Sequence, residues 1–202
     1  MKIICIGRNY ADHAKEMNSP VPIEPIFFMK PDTAIHRETN YYLPDFTKDL
    51  HHEIEIVVKI NKVGKNIAPE FASNYYSEIG IGIDFTARDI QKLCKEQGLP
   101  WEKAKAFDNS AVISNTFLDK SKLDLNNINF SLSINDKVVQ SGNTSQMIFD
   151  FNHLIAHISK YITLKVGDLI YTGTPEGVGP IKIGDKLEGF IEKEKLFDLS
   201  VL

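Results

Sequence analysis

The chain has 202 residues, 43% hydrophobic and 25% charged, with 23 Lys and Arg against 27 Asp and Glu for a net charge of -4; this suffices for one domain with a sizeable core. The lysines are scattered rather than clustered, so there is no basic footprint for nucleic acid or an anionic membrane surface, and no apolar run approaches the length of a membrane span. Met1 to Ile6 breaks at Gly7-Arg8-Asn9, too short for a signal-peptide core, which predicts a cytoplasmic protein whose two cysteines, Cys5 and Cys94, serve packing.

In chain order, Lys2 to Ile6 reads as a short buried strand delivering Gly7-Arg8-Asn9-Tyr10, and Tyr10 to Met17 as about two helical turns stopping before Asn18-Ser19-Pro20. His13 and Glu16 then share a helix face. Pro20, Pro22, Pro25, Pro31 and Pro44 predict extended loops and sheet edges, with only Ile26-Phe27-Phe28-Met29 strand-like. Glu53 to Ile60 has the strongest strand pattern, Pro69 to Glu78 predicts a short helix, and Ile79 to Ile83 a further strand with Asp84 at its end. Thr86-Ala87-Arg88-Asp89 has the form of a capping box opening a helix through Glu96, with Ile90, Leu93 and Cys94 as its buried stripe and Gly98-Leu99-Pro100 as its stop. Asn129 to Ile134 and Val138-Val139-Gln140 flank Asn135-Asp136 as a hairpin, and Ser145 to Ile162 carries apolar residues at a helical period. Two β-rich segments around Gly167-Asp168 and Gly184-Asp185 complete a single domain, 1–202, of mixed α+β, β-rich architecture with a folded-over sheet.

Successive side chains of a strand alternate faces, so Glu53 and Glu55 project together while Ile54 and Ile56 turn the other way. With Asp84 they form an oxygen-only donor set suited to Mg²⁺ or Mn²⁺, ions that keep positions open for water or substrate. The competing reading of Glu-x-Glu alone is the wet face of a half-exposed strand. His13 and Glu16 fit either a general base with its orienting carboxylate or an exposed helical pair. His51 and His52 raise zinc or iron, yet His52 falls on the face opposite Glu53 and reads as support or packing. Lys105 by itself reads as a solvated surface lysine, and Arg8 divides evenly between a substrate-carboxylate contact and a loop pin. Gly173-Thr174-Pro175 and Gly177-Val178-Gly179 lack the lysine of a phosphate loop and read as a turn lining a pocket, and Phe27 and Phe28 are candidates to shape its end.

Six motifs occur in series: Gly7-Arg8-Asn9-Tyr10-Ala11-Asp12-His13-Ala14-Lys15-Glu16, Phe28-Met29-Lys30-Pro31, His52-Glu53-Ile54-Glu55, Asp84-Phe85-Thr86-Ala87-Arg88-Asp89, Trp101-Glu102-Lys103-Ala104-Lys105-Ala106-Phe107 and Thr172-Gly173-Thr174-Pro175-Glu176-Gly177-Val178-Gly179. Together they resemble the fumarylacetoacetate hydrolase family, in particular its small single-domain acylpyruvate hydrolases, some of which decarboxylate oxaloacetate. The resemblance implies a β-sandwich roll with a few short helices, a Mg²⁺ or Mn²⁺ ion, a small 2-oxo acid substrate and a homodimer. It also implies Glu53, Glu55 and Asp84 as metal ligands, His13 and Glu16 as the catalytic dyad, Lys105 beside the substrate, and Gln91 and Thr174 as hydrogen-bonding partners of the bound 2-oxo acid. The implied reaction is cleavage of the carbon-carbon bond of a 3-acylpyruvate to pyruvate and a carboxylic acid, with His13 taking a proton from the attacking water. Oxaloacetate decarboxylation and isomerisation of unsaturated 2-oxo diacids are the alternatives on the same site.

Overall fold

A run of buried Ile3, Ile4, Cys5 and Ile6 forms the strand Ile3–Gly7, apolar on both faces because it lies inside a sheet covered on both sides. The computed structural model describes residues 1–16 and 20–202. Among these residues the strands form three sheets. The largest runs Ile26–Lys30, Ile3–Gly7, Leu169–Tyr171, Ile54–Ile60, Tyr76–Asp84, Ala111–Ile113 and Ile35–His36, with Leu118–Asp119 pairing to Tyr76–Asp84. A second runs Lys137–Asn143, Asn129–Ile134, Lys186–Ile191, Glu194–Val201 and Asn40–Tyr41. The third is small: Gly179–Pro180, Leu50–His52 and Thr86–Ala87. The architecture is the mixed, β-rich fold with few short helices that the pattern predicts.

The central strand Ile54–Ile60 sets the register. Ile54, Ile56, Val58 and Ile60 enter a core shared with Phe130, Leu132, Leu187 and Leu199 of the second sheet, while Val57 joins a smaller cluster with Ile3, Cys5, Leu169 and Tyr171 on the opposite face. Each such side chain contributes roughly 1.5–3 kcal/mol on full burial, so a one-residue slip, which would exchange the faces, is strongly disfavoured. Glu55 is thereby held on the face of the smaller cluster. The strand begins at Ile54 rather than Glu53: Leu50–His52 pairs in the small sheet, and Glu53 occupies the seam between the two.

Four α-helices are described: α1 (Ala11–Glu16), α2 (Arg88–Gln97), α3 (Glu102–Lys105) and α4 (Phe151–Tyr161). The predicted helix Tyr10 to Met17 starts one residue later, because Tyr10 bridges to Met147, and its end at Met17 lies outside the described residues. The helix predicted from Ser145 starts at Phe151, where the Asp150 side chain accepts from His153 N at 2.8 Å. Upstream, reciprocal bonds between Asn143 and Gln146 hold Thr144–Gln146 in a 3₁₀ turn, and the Asn9 backbone and side chain bind Ile148 N and Phe149 N, keeping that segment extended. Pro69 to Tyr75 is 3₁₀ rather than α, and the next strand starts at Tyr76 by pairing with Ile60. The Asn135-Asp136 hairpin turn is as expected, both residues having positive φ (51° and 65°) as a two-residue type I′ connection requires.

The expected cap and stripe of α2 are corrected. Ala87 is the N-cap residue and Thr86 Oγ1 binds Asp84 O instead, while Asp89 accepts from Thr47 Oγ1 at 2.6 Å. The helix buries Gln91 and Cys94 and leaves Leu93 47% exposed. Its inward face carries Arg88, Gln91 and Lys95, at the i, i+3, i+7 spacing of one helical stripe, and that stripe lines a cleft. Among the described residues, no helix is long and apolar enough to cross a membrane.

Candidate metal centre

Glu53 at the seam, Glu55 two residues further on, and Asp84 at the end of Tyr76–Asp84 are brought together by the pairings Ile54 with Ile83 and Glu55 with Gly82, and by Asp84 N donating to Glu53 O at 2.9 Å. One carboxylate oxygen from each lies within 4.8 Å of the other two, and among the described residues no other trio of His, Cys, Asp or Glu does so. All three are buried, which removes the wet-strand reading.

Three cations face the three acids. Lys105, only 3% exposed, places Nζ 2.7 Å from Glu53 Oε2 and 2.8 Å from Asp84 Oδ2, so it points inward and is no surface lysine. Arg88 Nη2 lies 2.7 Å from Glu53 Oε1, and its Nη1 donates to Gln91 Oε1 at 2.7 Å. Lys30 Nζ lies 2.7 Å from Asp84 Oδ1. That contact is an ion pair without hydrogen-bond alignment: Lys30 directs its protons to Ser110 O, Ser110 Oγ and Phe85 O, and Asp84 Oδ1 remains a buried acceptor without a donor. Glu55 Oε2 accepts only the Gly173 backbone N–H, at 2.7 Å.

These partners divide the acids electrostatically. Burial pushes the Glu53 carboxyl up, but Lys105, Arg88 and His13 outweigh it and hold the group well below the usual carboxylate range. Glu55 moves the other way: burial, then the charges of Asp84 and Glu53, raise it well above that range despite the Gly173 N–H and Lys105. Burial alone would lower Lys105, yet Asp84 and Glu53 raise it, so it stays an ammonium. An all-carboxylate donor set and a Glu55 starved of positive charge together fit a hard divalent cation. Glu53, Glu55 and Asp84 are the residues that would hold it.

A cavity of about 50 Å³ opens on the acids and is lined also by Arg8, His13, Gln91, Lys95, Lys105 and Thr174. The expected substrate contacts thus share one cleft with the acids. His13 is 7% exposed, and its Nδ1 donates to Glu16 Oε2 at 3.0 Å, which in the neutral ring leaves Nε2 as the acceptor. Glu16 Oε1 accepts from Gly177 N at 3.1 Å, tying α1 to the Thr172–Gly179 loop. Lys95 stands at the rim, where partial burial of its ammonium and the charges of Arg88 and Arg8 lower its pKa. Arg8 has φ of 60°, a conformation that disfavours non-glycine residues by about 1–2 kcal/mol. Asn9, wholly buried, holds the segment there through Nδ2 bonds to Thr172 O (2.8 Å) and Phe149 O (3.0 Å).

His52 turns away from the acids, as alternation requires, and its Nδ1 donates to Gln140 Oε1 at 2.8 Å. Gly173 has φ of +102° and a Cβ there would meet Asn9 Cβ at 2.7 Å, so this loop reaches Glu55 only with glycine. A second cavity of about 310 Å³, apolar, lies between Ile26–Met29 and Leu99–Glu102 and shares Phe28, Trp101 and Lys105 with the first. Phe27 also lines this second cavity, and its ring packs on His157 and Tyr161. Sequence reasoning gave no role to Lys30, Arg88, Asn9 or Gln140. Arg88 was accessible to it, lying three residues before Gln91 on one helix face; Lys30 offered only a charge at the end of an apolar strand.

The Fumarylacetoacetate (FAA) hydrolase C-terminal family model matches residues 2–199. The mouse (Mus musculus) protein "Oxaloacetate tautomerase FAHD1, mitochondrial" is 46% identical over 192 residues, covering 94% of this chain and 86% of that protein. "Oxaloacetate decarboxylase, mitochondrial" of Dictyostelium discoideum is 43% identical, covering 93% and 87%. The crystal structure of fumarylpyruvate hydrolase from Pseudomonas aeruginosa in complex with Mn²⁺ and pyruvate superposes with a TM-score of 0.93 at 34% identity, over 100% of this chain and 89% of that one.

Proposed function

Since the chain belongs to the fumarylacetoacetate hydrolase family, we propose that it is a Mg²⁺- or Mn²⁺-dependent enzyme that moves protons and breaks bonds at C3 of a small 2-oxo acid, with oxaloacetate as its leading substrate. The observation that carries this is the meeting of His13, Lys105 and the three acids in one small cleft. The oxaloacetate-named relatives support the choice of substrate. So does charge: Lys30, Arg88 and Lys105 already match Glu53, Glu55 and Asp84, so a dication together with Arg8 and Lys95 leaves a net positive cleft that suits a compact dianion.

The bound ion would supply Lewis-acid polarisation of the 2-keto oxygen. His13 Nε2 takes a proton from C3 in keto-to-enol conversion and returns it in the reverse direction. Glu16 accepts from Nδ1 throughout and favours the imidazolium while the proton is held. The Lys105 ammonium stabilises negative charge growing on the substrate oxygen, in a site from which burial excludes most water. Arg8 and Lys95 at the mouth are set to orient the far carboxylate.

Hydrolysis of 3-acylpyruvates is the second reading. It is favoured by the apolar cavity beside Phe28 and Trp101, which has room for an acyl group, and by the fumarylpyruvate hydrolase neighbour. There His13 would take its proton from water attacking the distal carbonyl. Loss of enol absorbance and release of pyruvate should be followed with oxaloacetate and with acetylpyruvate, under Mg²⁺, Mn²⁺ or a chelator. Turnover of oxaloacetate that a chelator abolishes is expected; turnover indifferent to the chelator would defeat the proposal.

A further inference from the structure

Gln140 is a buried polar group without a part in the chemistry above. It sits on the edge strand Lys137–Asn143 of the second sheet, 1% exposed, and every hydrogen-bonding position of its amide is filled. Oε1 accepts from Ile54 N (3.0 Å) and His52 Nδ1 (2.8 Å), while Nε2 donates to Thr174 Oγ1 (2.9 Å) and Pro175 O (3.0 Å). The amide orientation is fixed by chemistry, since a backbone N–H can only donate and the Pro175 carbonyl can only accept.

A threonine hydroxyl has one proton and two lone pairs. Gln140 Nε2 engages a lone pair of Thr174 Oγ1, so that amide cannot also receive the hydroxyl proton. Among the described residues no acceptor takes that proton, and Thr174 lines the cleft beside Glu55. The geometry points to Gln140 as a positioning residue that makes Thr174 a hydrogen-bond donor toward anionic substrate oxygens, while the same amide pins the Ile54 side of the seam at Glu53. The second sheet thereby acts, through Thr174, on a cleft lined by the first sheet and by α1, α2 and α3. A carboxylate or enolate oxygen is favoured by such a donor, and a neutral donor group is rejected. This inference rests on the cleft being a 2-oxo acid site.

The test is a double-mutant cycle read by calorimetric binding of oxalate in the presence of Mg²⁺, with thermal unfolding recorded for each variant. Thr174→Val, nearly isosteric, should weaken oxalate about tenfold to a hundredfold, the range for losing a bond to a charged group. Gln140→Met should weaken it at least comparably in the Thr174 protein but by a clearly smaller factor on top of Thr174→Val, the remainder being the lost contact at Ile54 N. Gln140→Glu keeps the shape and offers a second, independent probe: its carboxylate draws the hydroxyl proton away from the cleft, so oxalate should weaken at least as much. A merely structural role predicts lower unfolding temperatures with losses of equal factor in both backgrounds, and that result, or unchanged affinity in both Gln140 variants, overturns the inference. Failure of the unsubstituted protein to bind oxalate with Mg²⁺ overturns the 2-oxo acid reading and this inference with it, a result distinguishable from an additive cycle.

Discussion

Replacing Lys105 by Met removes one ammonium from between two buried carboxylates. Lys105 Nζ donates to Glu53 Oε2 and Asp84 Oδ2 at 2.7 and 2.8 Å, and Glu55 is packed against the same pair without a cation of its own. Breaking a buried ion pair by deleting one partner typically destabilises by about 3–5 kcal/mol, a large share of the roughly 5–15 kcal/mol that holds a domain folded. In the metal-free protein, urea unfolding of Lys105→Met should therefore shift by about that amount. The same change releases two carboxylate oxygens for a dication and removes a like charge beside it. If one charge-assisted bond of about 1.5–3 kcal/mol no longer has to be displaced, Mg²⁺ should bind Lys105→Met about tenfold to a hundredfold more tightly, and saturation at a hundred times Kd should restore about 2.7 kcal/mol of stability. Calorimetry with Mg²⁺ and urea titrations with and without the ion give both numbers. A folded Lys105→Met variant that binds Mg²⁺ no better than the unsubstituted protein would refute the assignment of these oxygens to a cation, and one that retained oxaloacetate turnover would refute the role given to the ammonium.

The folded pKa of Glu55 lies above its unfolded value, so its contribution to metal-free stability is full below the unfolded pKa and is lost as pH rises through the folded one. Glu55→Gln should flatten that decline, and Mg²⁺ binding should release a proton in the unsubstituted protein but not in Glu55→Gln, as heats measured in two buffers of different ionisation enthalpy would reveal. His13→Ala should lower turnover by about 10²–10⁴-fold and Glu16→Gln by less, with Mg²⁺ affinity within about threefold of normal; equal, small losses would place the dyad outside the chemistry. Arg8→Gly relieves a positive φ while deleting a charge, so the variant should unfold no earlier and show a raised KM. A drop in stability with unchanged KM would make Arg8 a loop pin. Asn9→Ala leaves Phe149 N, Phe149 O and Thr172 O without their partner and should lower stability by about 3 kcal/mol in urea unfolding.

What the sequence made legible was periodicity and order. Alternation alone put Glu53 and Glu55 opposite Ile54 and Ile56, and the buried apolar set follows that parity. The Asn135-Asp136 turn could be read because only a few residue pairs tolerate two left-handed conformations in succession. The misreadings share a cause, which is that distant partners redirect local preference. Asn9, more than 130 residues away in sequence, captures Ile148 and Phe149 and delays α4. Leu93, expected in the core, faces outward since α2 turns its polar stripe to the cleft. Lys105 could be lifted from the surface only by the family resemblance, for no neighbour in sequence signals that Glu53 and Asp84 lie beside its ammonium.

The break between His52 and Ile54 has a kinetic implication. Because Glu53 is suspended where two paired ribbons meet, both drawn from residues 50–87, and Gly173 joins Glu55 from 118 positions downstream, the acids come together through nearby strands while Glu55 receives its backbone donor only once the last part of the chain has docked. The site is complete only when that late contact forms, and a folding experiment should find the ion slowing unfolding more than it speeds refolding.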